Sequence, residues 1–341
     1  MKREVGLCII GTGRAGMIHG NNFNGRIPGA KLVALCDPSK ESLKTAAASV
    51  GDVKSYEDYR EALADEAINA VVIACPTKFH CEIAVAAAAA GKHILCEKPM
   101  AMNERECEEM IRAAKSYGVK LQVGFMRRFD ESFQEAKRQI ETGEIGEVVL
   151  VKSHTRGPSE PREWMYDIEK SNGPLAEVSS HDIDTARWFI DSEPLRVYAV
   201  GGNYRCREVT EQYPDFYDNI LVSVEYENGM SASIEGAQYV EYGYDARVEI
   251  LGTKGVICLG ELHDKKLLTC TKNQGVSRPV MKSWTKLFKE AYLTEDKSFV
   301  DSIEKDEPVK VTGEDGLAAV RLVRAGNQSF KTKQVIELNN Q

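Results

Sequence analysis

The segment that most restricts the fold is Gly11-Thr-Gly13-Arg-Ala-Gly16, set between the apolar run Val5–Ile10 and a stretch of helical character. Three glycines at this spacing have a definite physical use when a strand precedes them and a helix follows. Gly11 permits a tight turn, Gly13 lets the backbone approach a pyrophosphate, and Gly16 lets the helix pack close on the strand. The phosphates then lie at the positive end of the helix. Such a loop works only inside a strand–helix–strand unit, and the chain supplies one. Apolar, β-branched runs recur at residues 31–36, 70–75, 93–96 and 120–124, with helical stretches between them. One helix, over 84–90, closes at Gly91. Another, Glu104–Tyr117, opens on Asn103 with Glu106 as its capping partner and closes at Gly118. Runs buried on both faces and separated by helices imply a parallel, doubly wound sheet.

The pattern changes after Gly124. A helix over 130–141 ends at Thr142-Gly-Glu-Ile-Gly146, and longer alternating strands follow at 148–154, 197–204, 220–226 and 230–238. The last two are joined by the turn Glu227-Asn228-Gly229, and strands at 247–251 and 255–259 meet across Gly252-Thr-Lys254. One helix is inserted near 182–190, and helices over 287–304 and 315–329 come last. The chain of 341 residues has room for two cores. Residues 1–125 are expected to form the nucleotide domain. Residues 126–341 are expected to form an α/β domain with a large, mostly antiparallel open sheet. One face of that sheet needs helices over it and the other is available for subunit packing, so a homodimer or homotetramer is expected.

Composition excludes several classes. A net charge of −8 argues against a nucleic-acid partner. No run of 18 apolar residues exists to span a membrane. The first residues lead directly into strand-like sequence without a signal-peptide layout. The nine cysteines are scattered without a Cys-x-x-Cys, and Cys8, Cys36, Cys75 and Cys96 fall inside apolar strands. They read as reduced thiols of a cytoplasmic protein, and no clustered ligand set points to a metal.

Asp37 ends the second strand, about 20 residues beyond the glycine loop, where a carboxylate can accept both adenosine ribose hydroxyls. It would repel a 2′-phosphate, so NAD is expected over NADP, although Lys40 nearby would offset part of that repulsion. Glu97-Lys98-Pro99 stands at the end of the strand 93–96 and brings an ammonium near the expected nicotinamide.

Together these motifs, with Gly124-Phe-Met-Arg127-Arg-Phe129 and Ser180-His181-Asp-Ile-Asp184-Thr-Ala-Arg-Trp188, resemble the Gfo/Idh/MocA oxidoreductases. Tyr242-Gly-Tyr244-Asp245 and Gly313-Glu-Asp-Gly316 are most similar to the inositol 2-dehydrogenase branch. The resemblance runs from about residue 4 to 325 and implies an N-terminal Rossmann domain. It also implies that Lys98 and His181 are the catalytic pair of a polyol or sugar oxidation. The chemistry agrees, since a secondary alcohol must lose its hydroxyl proton as hydride leaves. A neutral histidine with an ordinary pKa of about 6.5 can take that proton, and an ammonium beside the oxygen stabilises the alkoxide. The amine of Lys98 and the imidazole of His181 must therefore meet at one substrate oxygen.

Glu177 lies four residues before His181, on its face if the segment is helical, and can orient the imidazole or bind a sugar hydroxyl. Asp184 competes for the orienting role. The inositol dehydrogenases usually carry aspartate where Glu177 stands. Their two glycines before that helix and their asparagine after the strand bearing His154 are also replaced, by Asn172-Gly173-Pro174 and Arg156-Gly157-Pro158. Arg127, His154 and Tyr244 are further candidates to bind a ring polyol, and Trp164, Tyr166 and Trp188 could stack on sugar faces. Pro76-Thr77-Lys78-Phe79-His80 resembles the family's cofactor loop. There Pro76, Thr77 and His80 would join Gly11, Thr12, Gly13, Arg14, Ala15, Gly16, Asp37, Glu97 and Lys98 around NAD.

The leading expectation is an NAD-dependent dehydrogenase acting on a cyclic polyol or sugar. Two alternatives stay open. One is an enzyme that retains NAD and cleaves glycosides through a transient keto-sugar; the other is a sugar-sensing regulator of the same fold.

Overall fold

A computed structural model describes residues 4–263, 267–273 and 275–338. The chain forms two compact units, Met1–Asp130 with Glu290–Val320, and Glu131–Lys289 with Arg321–Gln341. Residues 290–320 thus group with the first unit, and residues 321–341 with the second.

The first unit is built on six parallel strands: β1 (Val5–Ile10), β2 (Ala30–Cys36), β3 (Lys54–Tyr56), β4 (Ala70–Ile73), β5 (His93–Glu97) and β6 (Leu121–Gly124). Their order, β3-β2-β1-β4-β5-β6, reverses direction between β1 and β4. In open α/β sheets that crevice is the ligand-binding position. Strands β1 and β4 are buried along their whole length, as their unbroken apolar sequence requires. The helices α1 (Arg14–Phe23), α2 (Lys40–Val50), α3 (Tyr59–Ala64), α4 (His80–Ala89) and α5 (Glu104–Tyr117) connect them. Helix α5 has the bounds its caps dictate. Asn103 accepts the Glu106 amide at 3.1 Å while donating to its carboxylate at 2.8 Å, and Gly118 closes the helix with φ +66°.

Helix α6 (Glu131–Glu141) opens the second unit. Its seven-stranded sheet runs β12-β11-β7-β10-β9-β8-β15. The strands are β7 (Val148–Gly157), β8 (Pro194–Gly202), β9 (Asn219–Tyr226), β10 (Ser231–Gln238), β11 (Asp245–Gly252), β12 (Val256–Leu259) and β15 (Ile336–Glu337). All neighbours are antiparallel except β10 and β7. A separate hairpin joins β13 (Thr269–Thr271) to β14 (Gly275–Ser277). Three short helices, α7 (Glu163–Tyr166), α8 (Ile168–Ser171) and α9 (Gly173–Glu177), lead into α10 (Ser180–Ile190).

Alternation along the strands separates the two faces of this sheet. Val151, Val197, Val222, Ile234 and Ile250 are buried, whereas Tyr198, Val200, Leu221 and Leu251 are exposed. Helix α11 (Trp284–Leu287) precedes α12 (Lys289–Glu304), which buries Phe299 and Val300 among the side chains of β1, β2 and α1. This apolar contribution explains why residues 290–320 belong to the first unit. Helix α13 (Gly313–Thr332) runs through both. No described helix is long and apolar enough to cross a membrane.

Candidate active site

In the first unit the candidate residues leave the sheet from one edge. Ile10 pairs with Cys36 and Ile73, Ile73 with Cys96, and Glu97 with Gly124, so the loops after five strands start side by side. At about 4.8 Å per strand, the turn after β5 stands roughly 10 Å from the glycine loop after β1.

Each glycine of that loop has its own constraint. Gly11 has φ +97°, and a Cβ there would lie 2.6 Å from the Cys75 amide nitrogen. A Cβ on Gly16 would meet the Gly11 carbonyl at 1.9 Å, so only glycine lets α1 approach this closely. Around Gly13 nothing lies within 4 Å of the missing Cβ, which is the open approach a pyrophosphate needs. Gly13 also caps α1 without a side-chain bond, and no acid occupies the first turn, so the helix end suits an anion. Arg14 is exposed and Ala15 half-buried at that end. The cradle fits a dinucleotide.

Asp37 touches the cradle directly. Its Oδ2 accepts the Thr12 amide at 2.9 Å and the Thr12 hydroxyl at 3.0 Å, while Oδ1 accepts the Ser39 amide at 2.9 Å. Lys40 turns to Glu57 at 3.2 Å with its side chain 80% exposed. Pro76 is exposed and Thr77 half-buried in the loop after β4. His80, in contrast, is buried beneath that loop. Its ring lies between the carbonyls of Cys75 at 2.8 Å and Pro99 at 3.0 Å, and burial pushes its pKa below the ordinary value. His80 therefore braces the loop against the Lys98-Pro99 turn instead of lining its surface.

Lys98 is half-buried, and its amide donates to Glu97 Oε2 at 3.0 Å. The other Glu97 oxygen, Oε1, faces His19 Nε2 at 3.2 Å, and His19 Nδ1 meets Asp296 Oδ1 at 2.6 Å. Burial alone would lower the pKa of His19 and raise that of Glu97. Asp296 and Glu97 outweigh it for the ring, which is raised well above its ordinary value, and His19 outweighs it for Glu97, which is lowered. Among the described residues, His19, Glu295 and Asp296 are a group compact enough to hold a cation. The 2.6 Å separation of His19 Nδ1 and Asp296 Oδ1 is a hydrogen-bond distance. Arg127 follows β6 in the 3-10 turn Met126–Phe129 and is only 1% exposed.

In the second unit, Glu177 and His181 do not share a continuous helix. Helix α9 ends at Glu177, and α10 begins at Ser180 after Val178 and Ser179. The break lies on β10, where a Cβ on Gly236 would strike the Ser179 hydroxyl at 2.1 Å. Asp182 accepts the Ser153 hydroxyl of β7 at 2.5 Å, which fixes the first turn of α10 and with it the buried His181. Asp184, one turn on, is also buried. Tyr217 donates to Asn327 and accepts the Leu175 amide, while Asn327 donates to the Asn172 carbonyl, anchoring the segment that ends in Glu177.

His154 follows Ser153 on β7, so it stands on the opposite face from α10. There it meets Asp245 at 3.3 Å. Asp245 also accepts from Arg247 at 2.7 Å and from Tyr242 at 3.0 Å. Burial would raise its pKa, but the His154 and Arg247 contacts hold it well below the carboxylate range. Tyr244 is buried, its amide donating to the Met281 carbonyl at 2.7 Å. Of the aromatic candidates, Tyr166 packs on Phe216 and Trp188 stacks on Phe189, whereas Trp164 is exposed.

A parallel sheet with an open glycine cradle at its switch point, an acid after the second strand that holds the cradle's Thr12, and a lysine two strands away defines an NAD-dependent oxidoreductase. Comparison with known proteins agrees. Residues 5–125 match the oxidoreductase family's NAD-binding Rossmann fold and residues 137–338 its C-terminal alpha/beta domain. The chain belongs to the Gfo/Idh/MocA family. It is 33% identical to scyllo-inositol 2-dehydrogenase (NAD(+)) of Bacillus subtilis, covering 99% of this chain and 98% of that protein. It is 30% identical to myo-inositol 2-dehydrogenase of Thermotoga maritima, covering 97% of each. Among solved structures, scyllo-inositol dehydrogenase from Lactobacillus casei with bound NAD(H) and scyllo-inositol superimposes with a TM-score of 0.89 at 28% identity. It covers 99% of this chain and 100% of that one.

Two groups of functional interest escaped sequence analysis. His19 and Asp296 are 277 residues apart and have no local pattern linking them. The Asp245 cluster was visible only as separate segments, His154, Arg156-Gly157-Pro158 and Tyr242-Gly-Tyr244-Asp245, with nothing to show that they meet.

Proposed function

We propose that the chain oxidises a secondary hydroxyl of a cyclic polyol or sugar, an inositol or a hexose-like ring, to the ketone. NAD, when bound, supplies the acceptor for the hydride that leaves the carbinol carbon. His181 takes the hydroxyl proton on its imidazole, and the Lys98 ammonium stabilises the developing alkoxide by a charge-assisted hydrogen bond. Glu177 orients the imidazole or binds a neighbouring hydroxyl, with Arg127 and Tyr244 as further substrate contacts, whereas His154, on the opposite face of β7 with Asp245, is not among them. The observation that carries the reading is Lys98 itself. It leaves the edge that also carries the glycine cradle and Asp37, on a backbone held by Glu97.

A second copy of the chain, as homodimer or homotetramer, would cover the exposed Tyr198, Val200, Leu221 and Leu251 on the open sheet face. All nine cysteines are free, in keeping with a reducing cytoplasm. The test is NADH formation with a panel of inositols, aldohexoses, anhydrosugars and glycosides. Stoichiometric NADH with an inositol or hexose supports the reading. Glycoside cleavage without net NADH, or ligand binding with no reaction, overturns it.

A further inference from the structure

We infer that His19 is a positioning residue for Lys98, acting through Glu97. The inference deepens the proposed function and rests on its assignment of Lys98 to the alkoxide. Both ring nitrogens of the fully buried His19 face carboxylate oxygens, Asp296 Oδ1 at 2.6 Å and Glu97 Oε1 at 3.2 Å. A neutral ring would aim a lone pair at one of them, so the ring is an imidazolium with both protons committed. Asp296 is held on its far oxygen by Asn22 at 2.8 Å, and Asn22 in turn by Arg26 at 2.6 Å. Tyr292 packs edge-on against the ring at 5.4 Å.

Glu97 is therefore gripped at both oxygens, one by His19 and the other by the Lys98 amide. The carboxylate lies across Gly124, where a Cβ would come within 3.3 Å of it. Directing the Lys98 amide fixes the backbone from which the ammonium departs. His19 belongs to α1, the helix that opens on the pyrophosphate cradle, so one ring joins the two ends of the cofactor edge. Apolar packing would fill this volume at lower desolvation cost; the charged network supplies direction.

The experiment uses Asp296→Asn, which preserves volume, alongside His19→Leu and His19→Gln, each made alone and with Lys98→Ala. Amide exchange at Lys98 in the cofactor-free protein should speed up at least about tenfold in Asp296→Asn, because the grip on Glu97 loosens. Turnover should fall by about tenfold or more in the single variants, least in His19→Gln, which keeps a donor toward Glu97, while the Kd for NAD changes less than about threefold. In the Lys98→Ala background the same substitutions should cost less than about twofold. Equal losses in both backgrounds, or unchanged exchange at Lys98, overturn the role of His19. Normal turnover in Lys98→Ala alone would instead locate the failure in the assignment of Lys98, and the inference falls with it.

Discussion

Replacing Asp37 separates two uses of one carboxylate. It accepts both the amide and the hydroxyl of Thr12 within 3.0 Å, so it shapes the cradle whether or not a ribose is bound. Asp37→Asn keeps most of that geometry and removes the charge. Losing charged hydrogen bonds to the ribose hydroxyls should cost NAD about 1.5–3 kcal/mol, roughly a tenfold to hundredfold rise in Kd. NADP behaves oppositely, because its 2′-phosphate no longer meets a carboxylate. Relief of that repulsion is about 1 kcal/mol per charge pair at 4 Å in water and about 4 kcal/mol at an effective dielectric of 20. The two effects together should collapse the preference for NAD by at least about a hundredfold. Lys40, already paired outward with Glu57, leaves the carboxylate as the dominant local charge. The assay is titration of the apo protein with each cofactor, followed by fluorescence. Equal factors for NAD and NADP would show that Asp37 only braces Thr12, and would refute the ribose contact.

Lys98→Ala and His181→Ala should each lower kcat by at least about a hundredfold, the usual scale for a lost acid–base group. Equilibrium titration should show NAD still binding, and near-normal kcat in either variant removes that residue from the chemistry. Gly16→Ala forces a methyl to 1.9 Å from the Gly11 carbonyl. The strain should cost about 1–3 kcal/mol in urea denaturation and abolish NAD binding, so a variant that binds normally would contradict the packing described. Asp245 has a folded pKa below its unfolded one, so its stabilisation is fully present above about pH 4 and is lost as pH falls toward the folded value. The urea midpoints of wild type and Asp245→Asn should therefore converge as pH falls below about 4. A constant gap would mean that the charge is not what stabilises the cluster.

Much of the first unit was legible because its signals are local. Helix α5 carries its own caps, and the glycine loop states its geometry in its spacing. Strand β3 was missed because Lys54-Ser-Tyr56 offers no apolar run and pairs only at the sheet edge with β2. The helices α7 to α9 are four or five residues each, too short for a 3.6-residue period to emerge. The interruption at Val178 and Ser179 depends on a contact with Gly236, which no local pattern announces. The same holds for His80. Its sequence position puts it in the cofactor loop, but the carbonyl of Pro99 draws it underneath. The length of α12 was readable, its destination was not, because Phe299 and Val300 find their neighbours nearly 300 residues upstream.

That late arrival shapes how the polypeptide must be made. Strands β1 and β2 leave the ribosome early, yet Phe299 and Val300, which complete their core, are translated some 170 residues after Asp130. At 5–20 residues per second the gap lasts roughly 10–30 s. Throughout it the nascent nucleotide half carries an apolar seam open to water, so biosynthesis places its greatest demand on chaperones until Phe299 and Val300 have been added.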